Sequence, residues 1–516
     1  MNKFILLFVS VLFVNDVCGY NILVAFPYPG KSHAILGDGF VRHLLNAGHD
    51  VTYITAMPFK PRHSRLKEID VSSNIEKFQL DKALDFDQFL REGSPFTDVG
   101  MFYDVMLGIA NNSIVHENVQ KFLLESKEKF DVVIGEWLYS EFYCGFGAIF
   151  DAPFIWSSSM EPHPAVLDLI DEPQNPAYFP DHMSPLSIPM TFTQRVKELW
   201  GLVNIQRVRW RLKDLNEKTF RDAFAPAAAK RGIQLPTLEE LKYRGVLMFG
   251  NSHVSSGEAH KLPQNYIPIS GYHIQDEIPP IPEKWQKLLD NSPNGVIYFS
   301  MGTMMKSKTM PADFKKALLK VFGELKQTVI WKFEEEFPNV PKNVHIVNWA
   351  PQQGILAHKN CILFITHGGL LSTTETLHFG IPIIGIPLFA DQHNNVRKAV
   401  NKGFALQIDL AYDTPERLRE AIHEILSNPQ YREKVKELSY IYHHRPIKPG
   451  ATIAHYVEHV IQTKGAPHLK SPATRVPLYQ KLYLDLIAII LVGVLVVARL
   501  LCGGSKKSVP PKKKNN

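Results

Sequence analysis

CILFITHGGLLSTTETLHFGIPIIGIPLFADQHNN, running from Cys361 to Asn395, decides how the rest of the chain is read. Cys361 to Ile365 is a short apolar run, too short for a helix, closed by Thr-His-Gly-Gly. That pattern predicts a buried strand. Leu370 to Phe379 reads as a helix stopped by Gly380 and Pro382. His367, Gly368 and Gly369 therefore sit where a strand becomes a helix. The unpaired N–H groups and positive dipole end of such a helix start attract an anion, and glycine lets a phosphate approach the backbone. A second strand, Ile383 to Gly385, leads into a loop at the same sheet edge that ends in Asp391-Gln392, two side chains suited to sugar hydroxyls. The same spacing also fits an ordinary pair of α/β turns.

Working outward, Val344 to Asn348 reads as a strand followed by Trp349-Ala350-Pro351-Gln352, and Val296 to Ser300 as a strand followed by Met301-Gly302-Thr303. An exposed Trp at a strand end can stack on a planar base; the alternative is a core indole. The N-terminal half echoes this series. Ile22 to Phe26 is a continuous apolar strand, His33 opens the helix Ala34 to Asn46, and Val51 to Thr55 closes a βαβ unit. Phe130 to Gly135 is another strand, with Glu136 and Glu141 just past it. Either glutamate can approach His33 across the strand ends, and either can equally serve as a helix-start acid. Ligands bind outside the carboxyl ends of such sheets, in the cleft between two of them. Phe192 to Phe220 predicts a long helix rich in Lys and Arg that also carries Trp200, either a solvated packed helix or one lying on a membrane. Tyr266 to Lys284 is dense in proline and reads as a linker.

The chain has 516 residues, enough for two α/β domains, and its net charge of +6 is concentrated at one end. The last fourteen residues hold five lysines and no acid, so the rest sums to about +1 and gives no footprint for nucleic acid. Residues 1–19 read as a secretory signal peptide. Leu482 to Leu501 is nearly all apolar and long enough to span a bilayer, and the lysines beyond it place that end in the cytosol. Cys144 and Cys361 are expected as free buried thiols. Asn111-Asn112-Ser113 is the only glycosylation sequon.

Taken together, Phe364-Ile365-Thr366-His367-Gly368-Gly369, Ser372, Glu375, Pro382-Ile383-Ile384, Pro387-Leu388 and Asp391-Gln392 resemble the signature of the UDP-dependent glycosyltransferases. The resemblance covers residues 20–502, and the wording around Gly369 to Thr373 and Asn175 to Pro180 looks like the insect members. It implies an α/β fold of the GT-B type, with two Rossmann-like domains facing a cleft and one C-terminal transmembrane helix. The implied domains are an acceptor domain at 20–265, a linker at 266–284 and a UDP-sugar domain at 285–445. Closing helices and a membrane-proximal segment follow at 446–480, then a span at 481–502 and a cytosolic tail at 503–516. By the same resemblance Trp349 stacks on uracil, and Gln352 and Glu375 bind the ribose. His367, Gly369 and Ser372 hold the diphosphate, joined by Ser300, Gly302 and Thr303, while Asp391 and Gln392 grip the sugar. His33 becomes the general base, paired with Glu141 in first place and Glu136 in second. Insect relatives usually carry Asp at the first position and vertebrate relatives Asp at the second. Pro449-Gly450-Ala451 replaces the Pro-Leu-Asp common in the family.

The implied activity is inverting transfer of a hexose, glucose from UDP-glucose foremost and glucuronate second, to small lipophilic hydroxyl compounds. Its other reading is a catalytically degenerate UDP-sugar or lipophile binder. No bound cofactor and no metal are expected, because the helix start takes the leaving diphosphate charge. The expected setting is the endoplasmic reticulum membrane, type I, with the catalytic domains luminal and Asn111 glycosylated. Lys513-Lys514-Asn515-Asn516 resembles a dilysine retrieval signal, and the family leaves room for a homo-oligomer.

Overall fold

Among the described residues thirteen short strands, most of them apolar, build two parallel sheets. The computed structural model describes residues 19–77, 85–93, 99–184, 186, 188–303, 309–335 and 337–503. The expected signal peptide up to residue 18 and the lysine-rich tail beyond residue 503 lie outside them. The first sheet contains β1 (Asn21–Phe26), β2 (Asp50–Thr55), β3 (Leu66–Asp70), β4 (Val132–Trp137), β5 (Phe154–Ser158), β6 (Met248–Gly250) and β7 (Tyr266–Pro268). Its order is β3-β2-β1-β4-β5-β6-β7. The second contains β8 (Val296–Ser300), β9 (Thr328–Lys332), β10 (Val344–Val347), β11 (Cys361–Thr366), β12 (Ile383–Gly385) and β13 (Ala405–Gln407), in the order β10-β9-β8-β11-β12-β13. Ile22 to Phe26 and Val296 to Phe299 are almost wholly buried, which is why they read as unbroken apolar runs: helices cover both faces of each sheet.

Strand order reverses between β1 and β4 in the first sheet and between β8 and β11 in the second. Those two points are where the chain leaves room for a ligand. Two segments stitch the halves together. Phe86 and Phe89, early in the chain, are buried in the core of the second sheet with Phe314 and Leu318. Ile453, Val457 and Val460 of the Pro449–Gln462 helix, late in the chain, are buried in the first-sheet core with Phe40 and Leu44. Gly450 in the departed Pro-Gly-Ala stretch lies against the His43 ring, where a Cβ would come within 2.2 Å of Nδ1. The glycine permits that close approach.

Two boundaries differ from the sequence expectation. Tyr266–Pro268 is β7 rather than the head of the linker, paired in parallel with β6. Its proline stands on the sheet edge, where no ladder N–H is required. The long helix runs from Phe192 to Arg231, past Pro226, and stops at Gly232 in the left-handed region (φ 67°). Burial of Phe220, Ala223, Phe224, Ala227 and Ala228 around Pro226 outweighs the one helical hydrogen bond the proline removes. Cys144 and Cys361 are free and buried, as expected.

Residues from Ser471 onward form a separate unit. In it the helix Leu484–Gly503 includes a stretch, Leu484–Cys502, long and apolar enough to cross a membrane, and none of that stretch is covered by protein.

Candidate active site

His33 is the third residue of the helix Lys31–Asn46, which begins directly after the β1 loop. Its Nδ1 lies 2.5 Å from Glu136 Oε1. Glu136 is only 1% exposed and stands at the carboxyl end of β4, the strand across the order reversal from β1. With Nδ1 held by the carboxylate, Nε2 is the ring nitrogen left for a substrate group. The Tyr28 ring packs on the imidazole at 4.3 Å between centroids. Burial, with the Glu136 charge adding to it, pushes the Tyr28 phenol well above its usual range, so it stays neutral.

The pairing corrects the expectation that favoured Glu141. Glu141 Oε1 accepts from Trp137 Nε1 at 3.2 Å and faces Arg209 at 3.5 Å, and Arg209 also faces Asp168. Side chains alternate along a strand. Val132 and Ile134 pack in the core that holds Phe40 and Leu44 of the His33 helix, so Glu136 continues that face. Val133 and Trp137 pack in the opposite core, where Glu141 follows Trp137. Glu136→Gln is therefore expected to lower kcat strongly, whereas Glu141→Gln lowers the denaturation midpoint and leaves kcat within a few-fold. Steady-state rates and urea curves on the two variants check this pair of outcomes.

The facing wall comes from the second sheet. Ser300 ends β8, and its Oγ accepts from the Gly302 N–H at 3.3 Å. Gly302 has φ +80°, and a Cβ there would meet the His367 ring at 2.6 Å. Gly369, at the start of the Leu370–Phe379 helix, is equally close to His367. The ring is thus wedged between two glycines at a helix start that has no side-chain cap. Burial, assisted by Lys332, pulls the His367 pKa down to about 4. Lys332 Nζ donates to Gly302 O at 2.6 Å and sits 5.7 Å from the exposed Trp349 ring.

Glu375, buried one turn into that helix, accepts from Gln352 Nε2 at 2.5 Å and Gln353 Nε2 at 3.0 Å. Gln352 also reaches Ser372 Oγ at 3.3 Å. Ala390 adopts a left-handed conformation (φ 55°) immediately before Asp391, a strained backbone of the kind found where a side chain is aimed at a ligand. Asp391 is held by Asn395 Nδ2 at 2.8 Å, and burial raises its carboxyl pKa. Gln392 Oε1 accepts from the Leu388 and Phe389 N–H groups.

One cavity of about 840 Å³ joins the walls. His33, Ser300, Gly302, Thr303, Trp349, Gln352, His367, Gly369, Ser372, Glu375, Asp391 and Gln392 all line it, while Glu136 supports it from behind His33. Glu141 does not line it. Apolar side chains, among them Phe59, Phe102, Val105, Met106 and Leu138, also line it.

The sequence profile of the UDP-glucoronosyl and UDP-glucosyl transferase family matches residues 24–510. The chain belongs to that family. UDP-glycosyltransferase UGT5 of Dactylopius coccus is 33% identical over 97% of both chains. UDP-glucosyltransferase 2 of the same insect is 34% identical over 92% of this chain and 90% of that one. Rat UDP-glucuronosyltransferase 2B15 is 27% identical over 97% of this chain and 96% of its own. The fold matches the calicheamicin glycosyltransferase CalG4 with a TM-score of 0.57 at 17% identity, covering 87% of this chain and all of that one. This UDP-glycosyltransferase thus has the GT-B fold, and its family uses a UDP-sugar donor. Among the described residues no group of three or more His, Cys, Asp or Glu side chains is arranged to hold a metal.

Sequence reading missed His273. This side chain is 2% exposed, lines the cavity, and has no hydrogen bond on either ring nitrogen. Its Nε2 stands 3.6 Å from Glu375 Oε1. It lies in the linker, which has no periodicity to mark it. Arg42 and His43, from the helix that His33 opens, hold the backbone carbonyls of Tyr272 and His273.

Several histidines of the transferase are kept neutral by burial. Burial is the main cause for His163 and His378, both lowered to about 3, and for His253 and His367, both lowered to about 4. Below the usual histidine pKa of about 6.5 the unfolded chain binds protons that the folded one does not. Stability is therefore fully present above that value and is lost as pH falls from about 6.5 toward 4. Urea midpoints at pH 7.5, 6 and 5 are expected to fall in that order; a flat profile contradicts these assignments.

Proposed function

We propose that this chain is an inverting glucosyltransferase that moves glucose from UDP-glucose to hydroxyl groups of small lipophilic acceptors. The observation that carries the reading is that the His33–Glu136 pair and the Glu375 and Asp391 wall share one cavity that is also lined by apolar side chains. In this reading the acceptor O–H gives its proton to His33 Nε2 as the oxygen attacks C1 of the sugar. The C1–O bond to UDP breaks on the opposite face, and the diphosphate leaves with the electron pair toward the helix start at Gly369. Glu136 fixes the imidazole tautomer and stabilises the imidazolium. Trp349 stacks on uracil, with Lys332 over its ring. Glu375 and Gln352 take the ribose, and Asp391 and Gln392 take the sugar hydroxyls.

The similarity to the insect UDP-glucosyltransferase 2 supports glucose as the transferred sugar. The spanning helix and the signal-like first residues support an endoplasmic reticulum membrane protein with luminal domains. A glycan on Asn111 fits that setting only if it is added before folding. Asn111 lies in the Val99–Ile114 helix, and the Ser113 hydroxyl is buried and bonded to Ile109 O at 3.1 Å.

The test is incubation of purified protein with a phenol and steroid panel and competing UDP-glucose, UDP-glucuronate and UDP-galactose, with products identified by mass. Glucosides in excess are expected. Glucuronides in excess overturn the donor assignment, and UDP binding without any product shows a binder rather than an enzyme.

A further inference from the structure

Tyr139 stands two residues beyond β4, at the strand end that carries Glu136, and the mechanism above leaves it unused. Its backbone is left-handed (φ 57°), a conformation that an aromatic residue keeps only where its surroundings enforce it. Three rings do so, Phe102 at 4.7 Å and Tyr103 and Trp137 at 5.2 Å between centroids. Tyr139 and His182 both line the cavity, and the phenol shares a hydrogen bond with His182 Nε2. His182 is fixed from three further sides. Its Nδ1 lies 3.3 Å from Asp181 Oδ1, the His163 ring packs on it at 4.1 Å, and its backbone carbonyl accepts from Asn394 Nδ2 at 3.2 Å. Asp181 is held in turn: its N–H donates to Glu198 at 2.6 Å and its carboxylate accepts from the Met183 N–H at 3.0 Å. Burial alone would raise the Asp181 carboxyl, but the neighbouring His182 outweighs it and holds the group well below the usual carboxylate range.

Asn394 belongs to the helix Gln392–Asn401, which begins directly after Asp391. The two side chains stand close enough to Asp391 to exchange charge effects with it. Burial pushes the Tyr139 phenol well above its usual range, and the Asp181 and Asp391 charges add to that rise. Burial likewise raises the Asp391 carboxyl, and the Asn395 hydrogen bond and the nearby His182 oppose it. A loop of the first domain thus brings a phenol and an imidazole beside the carboxylate assigned to the sugar. Tying that loop to the second domain uses only the His182 backbone carbonyl, so it does not account for the side-chain pair on the cavity wall. In a phenol–imidazole hydrogen bond the phenol always keeps a function to spare. When Tyr139 donates to Nε2 its oxygen still accepts, and when Nε2–H donates the phenol O–H is free to donate. A hydroxyl, which both donates and accepts, matches either arrangement. A carboxylate can only accept, and it would add a third negative charge beside Asp181 and Asp391.

We propose that Tyr139 and His182 bind a hydroxyl of the transferred sugar from the first-domain side of the cavity, and so select a neutral hexose over a hexuronate. The inference rests on the donor reading above, which places the sugar at Asp391, and adds to it a sugar contact made outside the second domain.

Calorimetry of the full-length protein with UDP, UDP-glucose and UDP-glucuronate reads the sugar's share of donor affinity without requiring turnover. Wild-type protein is expected to bind UDP-glucose more tightly than UDP and to gain less from UDP-glucuronate. In Tyr139→Phe, which keeps the ring packing, and in His182→Ala, the ratio of the UDP to the UDP-glucose dissociation constant is expected to fall by about three- to tenfold, the scale of one hydrogen bond, while UDP affinity is unchanged. An unchanged ratio in both variants overturns the proposal, and a raised acceptor KM alongside it assigns the pair to the acceptor instead. Equal losses of affinity for UDP and UDP-glucose also overturn it, because they mark a structural role. Wild-type protein that binds UDP-glucose no better than UDP has no sugar contact and contradicts the proposal outright. Tighter binding of UDP-glucose with no glucoside from the acceptor panel fails the transferase reading alone, and the ratio in the two variants still decides the contact.

Discussion

His33→Ala lowers kcat by about 10²–10⁴-fold, the range for loss of a positioned general base, and leaves UDP affinity within a few-fold. The expectation follows from where His33 sits. It opens its helix at the order reversal of the first sheet, and its polar partner is Glu136, which is otherwise buried. Its hydrogen bond and ring contact are to Glu136 and Tyr28 rather than to the residues assigned to the nucleotide. Pre-steady-state measurements at saturating donor, with UDP titration by calorimetry alongside, separate the two quantities. An unchanged kcat removes His33 from the mechanism. A large loss of UDP affinity instead makes it a structural residue of the cleft.

Glu375→Ala produces the opposite pattern, a rise in the UDP dissociation constant of about 10²-fold. A ribose presents two vicinal hydroxyls to one carboxylate, hydrogen bonds to a charged group are worth about 1.5–3 kcal/mol each, and 1.4 kcal/mol is tenfold in affinity. In the structure Gln352 and Gln353 already donate to Glu375, and they would be left without their acceptor in the variant. His273→Ala is the milder companion, because its ring stands at 3.6 Å from the same carboxylate rather than bonded to it. Calorimetry with UDP alone reads both variants without requiring an acceptor. Unchanged UDP affinity in Glu375→Ala contradicts the assignment of the ribose site.

The donor half was legible in the sequence because its information is local. A strand period, a glycine turn and a helix period follow one another from Cys361 to Phe379, and each residue's place follows from its neighbours. The structure keeps β11 at Cys361–Thr366 and the helix at Leu370–Phe379. The partner of His33 was harder because it depends on which face of β4 a residue points from. Strand parity carries that signal: Val132, Ile134 and Glu136 share one face, and Trp137 belongs to the other. Reading Glu136 as lying beyond the strand discarded the parity. β4 in fact extends through Trp137.

Long-range packing was invisible for a different reason. Nothing local says that Phe86 and Phe89 belong to the second sheet's core, or that Ile453 and Val457 return to the first. Those placements are set by which apolar surface remains uncovered once both sheets have formed. His273 was missed on the same ground, since its importance lies in what stands beside it. The long helix runs past the expected end at Phe220 to Arg231, with Pro226 inside it, because burial of Ala223, Phe224, Ala227 and Ala228 overrides the local cost of a proline.

The central claim is a single displacement at C1 driven from the His33 side of the cleft. The configuration of the product's anomeric carbon tests it most directly. Proton NMR of the glucoside formed from UDP-glucose, whose glucose is α-linked, is predicted to show a β-linked product. An α-linked product would require a second displacement or a front-side path and would contradict the account.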